Sequence, residues 1–141
     1  MIPHDDGAAG LGTGLRLVLG SASPGRAEVL TRARVPFRVA VSGVDEAAVG
    51  AAAGDPSPAE LAGLLAEAKG RDVAARVAAA GVEAPTLVLG CDSVFEFEGR
   101  AHGKPYEPEV AVERWRAQAG REGVLHSGHW LGLVLPEPGV G

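Results

Sequence analysis

Hydrophobic residues along this chain fall into short dense runs separated by helical-period segments. Residues 15–19 (LRLVL) are nearly all apolar and end at Gly20, the pattern of a strand buried on both faces. Ser21-Ala22-Ser23-Pro24 follows, with Ser23 suited to N-cap and Pro24 to the first helical position. This predicts a helix to about Ala33. Residues 37–41 read as a second strand, leading into Ser42-Gly43-Val44-Asp45-Glu46. Residues 47–58, an Ala/Gly/Pro/Asp mixture, read as a linker. From Pro58 to about Ala80 the pattern turns helical, with Leu61, Leu64, Leu65 and Ala68 on one stripe, Gly81 closing it and Pro85 beyond.

Residues 86–89 form another apolar strand, entering Gly90-Cys91-Asp92-Ser93. Residues 94–97 and those after Gly99 predict a hairpin that delivers Gly103-Lys104-Pro105. A helix over 109–119 and an extended segment over 124–135 complete the pattern. Strands alternating with helices predict an α/β domain with a largely parallel or mixed sheet. The expected division is a flexible leader over 1–14, one domain over 15–135 and a Pro/Gly tail over 136–141.

Bulk properties narrow the function without naming it. A chain of 141 residues holds one domain with a real core. Mixed charges and ample hydrophobicity argue against disorder. A net charge of −5 excludes a strongly basic, sequence-independent nucleic-acid binder, while leaving room for a local cation cluster on a small anion. Cys91 is the only cysteine, so neither an intramolecular disulfide nor a Cys-rich metal site is available, in keeping with a cytoplasmic location. No apolar run approaches the ~20 residues needed to span a bilayer.

Several segments carry candidate chemistry. A strand feeding a helix through Ser21–Arg26 (SASPGR) makes a ready anion site, because free backbone N–H groups and the helix dipole converge there. Arg26 would sit in the first turn, where a cation is disfavoured by roughly 0.3–1 kcal/mol unless an anion binds. The same residues also fit an ordinary capped helix, and no GxxxxGK[ST] loop is present. Lys69 lies about 80° from Leu61 on the helical wheel, either snorkelling from a core boundary or facing a site.

Asp92 follows an apolar strand at the end where open α/β sheets bind ligands. A carboxylate there suits a divalent metal or a proton from attacking water; a turn-forming Asp fits equally. Lys104 offers a further cation, and Asp45-Glu46 a carboxylate pair, each with a solvated alternative. His126 and His129 would point to opposite faces of an extended strand, against a shared ion. Cations for phosphates together with carboxylates for a metal are what phosphoryl-transfer chemistry requires.

The order SASPGR (21–26), DE (45–46), LAGLLAEAK ending at Lys69, GCDS (90–93), GKP (103–105), GR (120–121) and HSGH (126–129) resembles the Maf family. The forms SPGR, SGVDE, GCDS and GREGVLHSGH are most similar to its high-GC actinobacterial branch. The resemblance implies a fold like the inosine-triphosphatase group, a twisted mixed sheet flanked by helices with a nucleotide cleft. It implies hydrolysis of a nucleoside triphosphate to monophosphate and pyrophosphate, dependent on a divalent cation (Mg²⁺ or Mn²⁺). On that basis Asp92 activates water, Ser21, Arg26, Lys69 and Lys104 hold the triphosphate, and Glu46 and Asp92 serve the metal. Gly25 and Ser93 depart from commoner family residues at positions linked to base preference. Direct nucleic-acid and membrane partners are not expected; a homodimer is. The Pro/Gly-rich ending LGLVLPEPGVG differs from the family's usual continuation and reads as a C-terminal truncation. An inactive remnant and an interaction protein of septum formation are the alternatives to the enzyme.

Overall fold

The computed structural model describes residues 14–102 and 107–138. β1 (Arg16–Gly20) is apolar on both faces because it is flanked and covered: Leu17, Val18 and Leu19 are all buried. α1 (Pro24–Arg32) starts as its sequence dictates, with the Ser23 hydroxyl accepting from the Arg26 N–H at 3.3 Å. β2 (Arg38–Val39) pairs parallel to β1 but is shorter than the run 37–41 predicts. Phe37 is consumed as a core anchor against Leu17, Leu19, Ala27 and Cys91, while Val41 is exposed.

The predicted linker over 47–58 is instead largely α2 (Glu46–Ala52). Asp45 caps it, its carboxylate accepting from the Ala48 N–H at 3.1 Å, and the alanines supply propensity. Val49 and Leu61 pack on the core cluster of Ala62, Leu65 and Val94, which gives this short helix its tertiary support. α3 (Pro58–Ala80) matches its predicted bounds, capped by Ser57 at one end and by Gly81 (φ +82°) at the other.

β3 is the second departure. The runs 86–89 and 94–97 are not separate; β3 continues through Gly90-Cys91-Asp92-Ser93 as Thr86–Phe97, 12 residues. The reason is pairing: β5 (Val124–Val134) lies antiparallel to it from Thr86↔Val134 to Glu96↔Val124, and that ladder overrides local turn preference. β3 then reverses through Glu98 and Gly99, both at positive φ as a tight hairpin requires, into β4 (Arg100–His102).

The sheet order is β2-β1-β3-β4, with β5 on β3. β5 occupies one edge of β3 along nearly its whole length, so β1 and β4 share the other. β1 stops opposite Gly90 and β4 reaches only as far as Phe95. Between them, beside residues 91–94, the sheet has a notch.

α3 lies directly on β3 and β5, and two glycines make that approach feasible. A Cβ on Gly90 would lie 2.3 Å from the Ala66 carbonyl oxygen; one on Gly128 would lie 2.3 Å from that of Ala62. α4 (Pro108–Gln118) differs, burying none of its residues. Among the described residues no helix is long and apolar enough to cross a membrane. The expected leader lies almost wholly outside the described residues, as do the last residues of the expected tail.

Candidate active site

The notch in the sheet opens into a cleft of about 1370 Å³, walled by the β1–α1 loop, α2, α3 and the β3–β4 hairpin. Its size suits a nucleotide with accompanying ion and water, being larger than the roughly 300–1,000 Å³ of a drug-sized pocket. A smaller depression of about 460 Å³ along α4, lined by Pro108, Glu109, Val112, Glu113 and Arg116, brings together no comparable chemistry.

The loop contributes a cation held by hydroxyls. Ser21 is buried where β1 ends, and its Oγ accepts from the Ser23 N–H at 3.2 Å and from Arg26 Nη1 at 3.0 Å. Arg26 Nη2 reaches across the notch to Ser93 Oγ at 2.8 Å, and Ser93 shares a 3.0 Å hydrogen bond with Ser127 of β5. No carboxylate pairs with Arg26 among the described residues, so its charge is oriented by neutral groups and still open to an anion. That placement answers the sequence puzzle of a cation in the first turn of α1: its head is bent away from the helix end and into the cleft.

The opposite wall carries the carboxylates. Lys69 Nζ lies 2.5 Å from Glu46 Oε1 and 3.4 Å from Asp92 Oδ1, with only 19% of the lysine side chain and 14% of the aspartate exposed. Lys69 is therefore turned into the cleft rather than along the surface. Three elements meet at this ammonium: α2 through Glu46, α3 through Lys69 and β3 through Asp92. The linker reading of 47–58 concealed that Glu46 begins a helix, which is what aims it at Lys69.

Asp92 also accepts from the Ser93 N–H at 2.9 Å. That bond occupies Oδ1, the same oxygen that faces Lys69. Its neighbour Cys91 points the other way, buried against Leu17, Leu19, Ala27 and Phe37. Burial pushes the Cys91 thiol above its ordinary value; Arg26 opposes this and Asp92 adds to it. This cysteine is a neutral core residue and not a nucleophile.

Of the residues singled out from sequence, Ser21, Gly25, Arg26, Glu46, Lys69, Asp92 and Ser93 all line this one cleft. Gly25 leaves space, since a Cβ there would meet only Ser23 Oγ, at 3.7 Å. Lys104 lies outside the described residues. His126 and His129 do lie on opposite faces of β5; His126 Nε2 is 2.9 Å from Glu96 Oε1. Arg100 and His102 of β4 also line the cleft and were missed. Only a hairpin at residues 94–102 was legible, and nothing local says that it curls over the site.

No group of three or more His, Cys, Asp or Glu suited to a metal occurs among the described residues. The donors present nevertheless fit a hard divalent cation that arrives with phosphates. Glu46 and Asp92 already converge on one positive charge, and such ions take one or two carboxylates with the remaining ligands from substrate and water.

Residues 16–135 match the family described as Maf-like protein. The chain is 51% identical over 114 residues to a protein of Streptomyces coelicolor named nucleoside triphosphate pyrophosphatase, covering 81% of this chain and 52% of that one. Proteins of the same name from Synechococcus sp. (strain CC9605) and Leifsonia xyli subsp. xyli are 48% and 49% identical. These matches cover 81% and 83% of this chain, and 60% and 55% of theirs. The chain thus spans about half the length of the curated relatives it matches.

Proposed function

This chain belongs to the Maf-like protein family, and on that premise we propose that it serves hydrolysis of a nucleoside triphosphate to monophosphate and pyrophosphate. The observation that carries the reading is the Lys69 ammonium held between Glu46 and Asp92, facing the Ser21–Arg26 loop across one cleft. Relatives named for this activity support it.

In this reading the triphosphate lies along the loop, with Arg26 and Lys69 neutralising its oxygens and Ser21 holding the Arg26 guanidinium toward them. Lys104, on the stretch following β4, adds a further cation. Asp92 takes a proton from water as the water oxygen bonds to the α-phosphorus and the bond to the β-phosphate bridging oxygen breaks. The products are a nucleoside monophosphate and pyrophosphate, and the proton passes from Asp92 to solvent. The site's preformed charges need little reorganisation as negative charge shifts onto the leaving group. A Mg²⁺ or Mn²⁺ ion, held by Glu46 and Asp92 when bound, would neutralise phosphate charge. The acidic net charge suits a small-molecule substrate over nucleic acid, in a cytoplasmic setting, including modified nucleotides.

The test is chromatography of products from a nucleotide panel with Mg²⁺ or Mn²⁺, on protein shown to be folded by circular dichroism. Monophosphate and pyrophosphate should appear, and Asp92→Asn should lower turnover about 10²–10⁴-fold, the usual contribution of a general base, with far less effect on nucleotide affinity. Folded protein that binds nucleotide without cleaving it would make this chain a nucleotide-binding portion of the family's domain.

A further inference from the structure

The cleft changes character along its length. At one end stand Arg26, Lys69, Glu46 and Asp92; further along, Leu61, Leu65 and Val94 take over the lining. Leu65 and Leu61 precede Lys69 by four and eight residues on α3, about 6 and 12 Å along the helix axis. Val94 packs with Ala62 and Leu65 of α3, on the same side of β3 as Asp92.

His102 lines the same cleft from the hairpin, on the face of the sheet that carries Ser93, across β3 from Val94. It pairs with Phe95, three residues beyond Asp92 on β3, a separation along the strand of about 10 Å. That is of the order of the distance from an α-phosphorus to the middle of its nucleobase. The imidazole is supported by aromatic rings, its centroid 6.4 Å from that of Phe95 and 6.1 Å from that of Phe97. Its ring nitrogens have no hydrogen-bond or ion-pair partner among the described residues. A braced ring lining a cleft, with both nitrogens unengaged among the described residues, is equipped to stack on a base and to bond its edge.

The residues that the family resemblance links to base preference are differently placed. Ser93 spends its hydroxyl on Arg26 and Ser127, and Gly25 has no side chain to offer. We propose that His102 is a specificity residue of this site, contacting the nucleobase of a triphosphate whose phosphates lie at Arg26 and Lys69. This rests on the pyrophosphatase reading of the cleft and adds the direction in which the substrate lies.

Inorganic tripolyphosphate, which has no base, separates the two claims. Binding of tripolyphosphate and of ATP, GTP, CTP and UTP would be measured by calorimetry with the full chain, its His102→Ala and its His102→Phe variants. His102→Ala should weaken binding of its preferred nucleotide about tenfold, as loss of one base–aromatic stack does, and leave tripolyphosphate affinity unchanged. His102→Phe should restore most of that affinity while levelling the differences among bases. A wild-type chain that binds neither nucleotide nor tripolyphosphate would overturn the function assigned to the cleft. Wild-type nucleotide binding that survives in His102→Ala with the same order of bases would overturn the role of His102 alone.

Discussion

The two faces of the sheet are finished differently. On one, α3 covers β3 and β5, approaching so closely that Gly90 and Gly128 have no room for a Cβ. On the other, Leu17, Leu19, Phe37 and Cys91 form a core with Ala27 of α1, but this cover does not extend over β5. There Leu125, Leu131 and Leu133 stand between 55% and 65% exposed. The cleft belongs to the finished part: every element that lines it is held by β1, β3 or α3. Site geometry and surface finish are therefore separable in this molecule, and substitutions on the two faces should differ in kind.

The hardest break is at the close approach. Gly90→Val pushes a branched side chain into the backbone of α3 and should cost about 3 kcal/mol or more, seen as a large fall in the denaturant midpoint. A small change would mean that α3 is free to move off the sheet. Less damaging is Lys69→Met, which leaves Glu46 and Asp92 without their shared cation. Because Lys69 is shared with the nearer Glu46 and lies 3.4 Å from Asp92, the coupling between Lys69 and Asp92 in a double-mutant cycle with Asp92→Asn should be about 1 kcal/mol. Nucleotide affinity, by contrast, should fall sharply in Lys69→Met. Additive variants would separate the two residues.

Cys91 probes the covered part of the second face. Its buried thiol should react slowly with an alkylating reagent in the folded chain and rapidly once unfolded. Because the folded pKa is raised, the stability lent by the neutral thiol is complete below the unfolded pKa and lost as pH rises through the folded one. Cys91→Ala should therefore flatten the alkaline side of a stability–pH profile. The smallest effect belongs to the open face. Leu131→Thr should change unfolding free energy by no more than about 0.5 kcal/mol, yet reduce self-association in sedimentation at high concentration. A loss comparable to that at Gly90 would mean that this face is covered after all.

Much of this was legible in residue order, and the exceptions share a cause. A cap announced α1, because Ser23 satisfies an orphan N–H group only three positions away, and an apolar stripe closed by Gly81 announced α3. Alternation predicted the opposite facing of His126 and His129 on β5. α2 was missed because Gly50 and the prolines at 56 and 58 look like a linker, whereas packing of Val49 and Leu61 decides the matter. The runs 86–89 and 94–97 were joined into one strand by pairing with a strand some forty residues away, which no local pattern reveals.

The sequence by itself determined which residues had to be buried, where the main helices begin, and which charged side chains were available for chemistry. Those are consequences of hydrophobic period and short-range hydrogen bonding. Tertiary structure alone decided that Glu46, Lys69 and Asp92 share one charge centre, that Arg26 reaches Ser93, and that His102 lines the same cleft. Each of those contacts links separate elements, and its geometry depends on where β1 stops, how far β3 continues, and how closely α3 lies upon it.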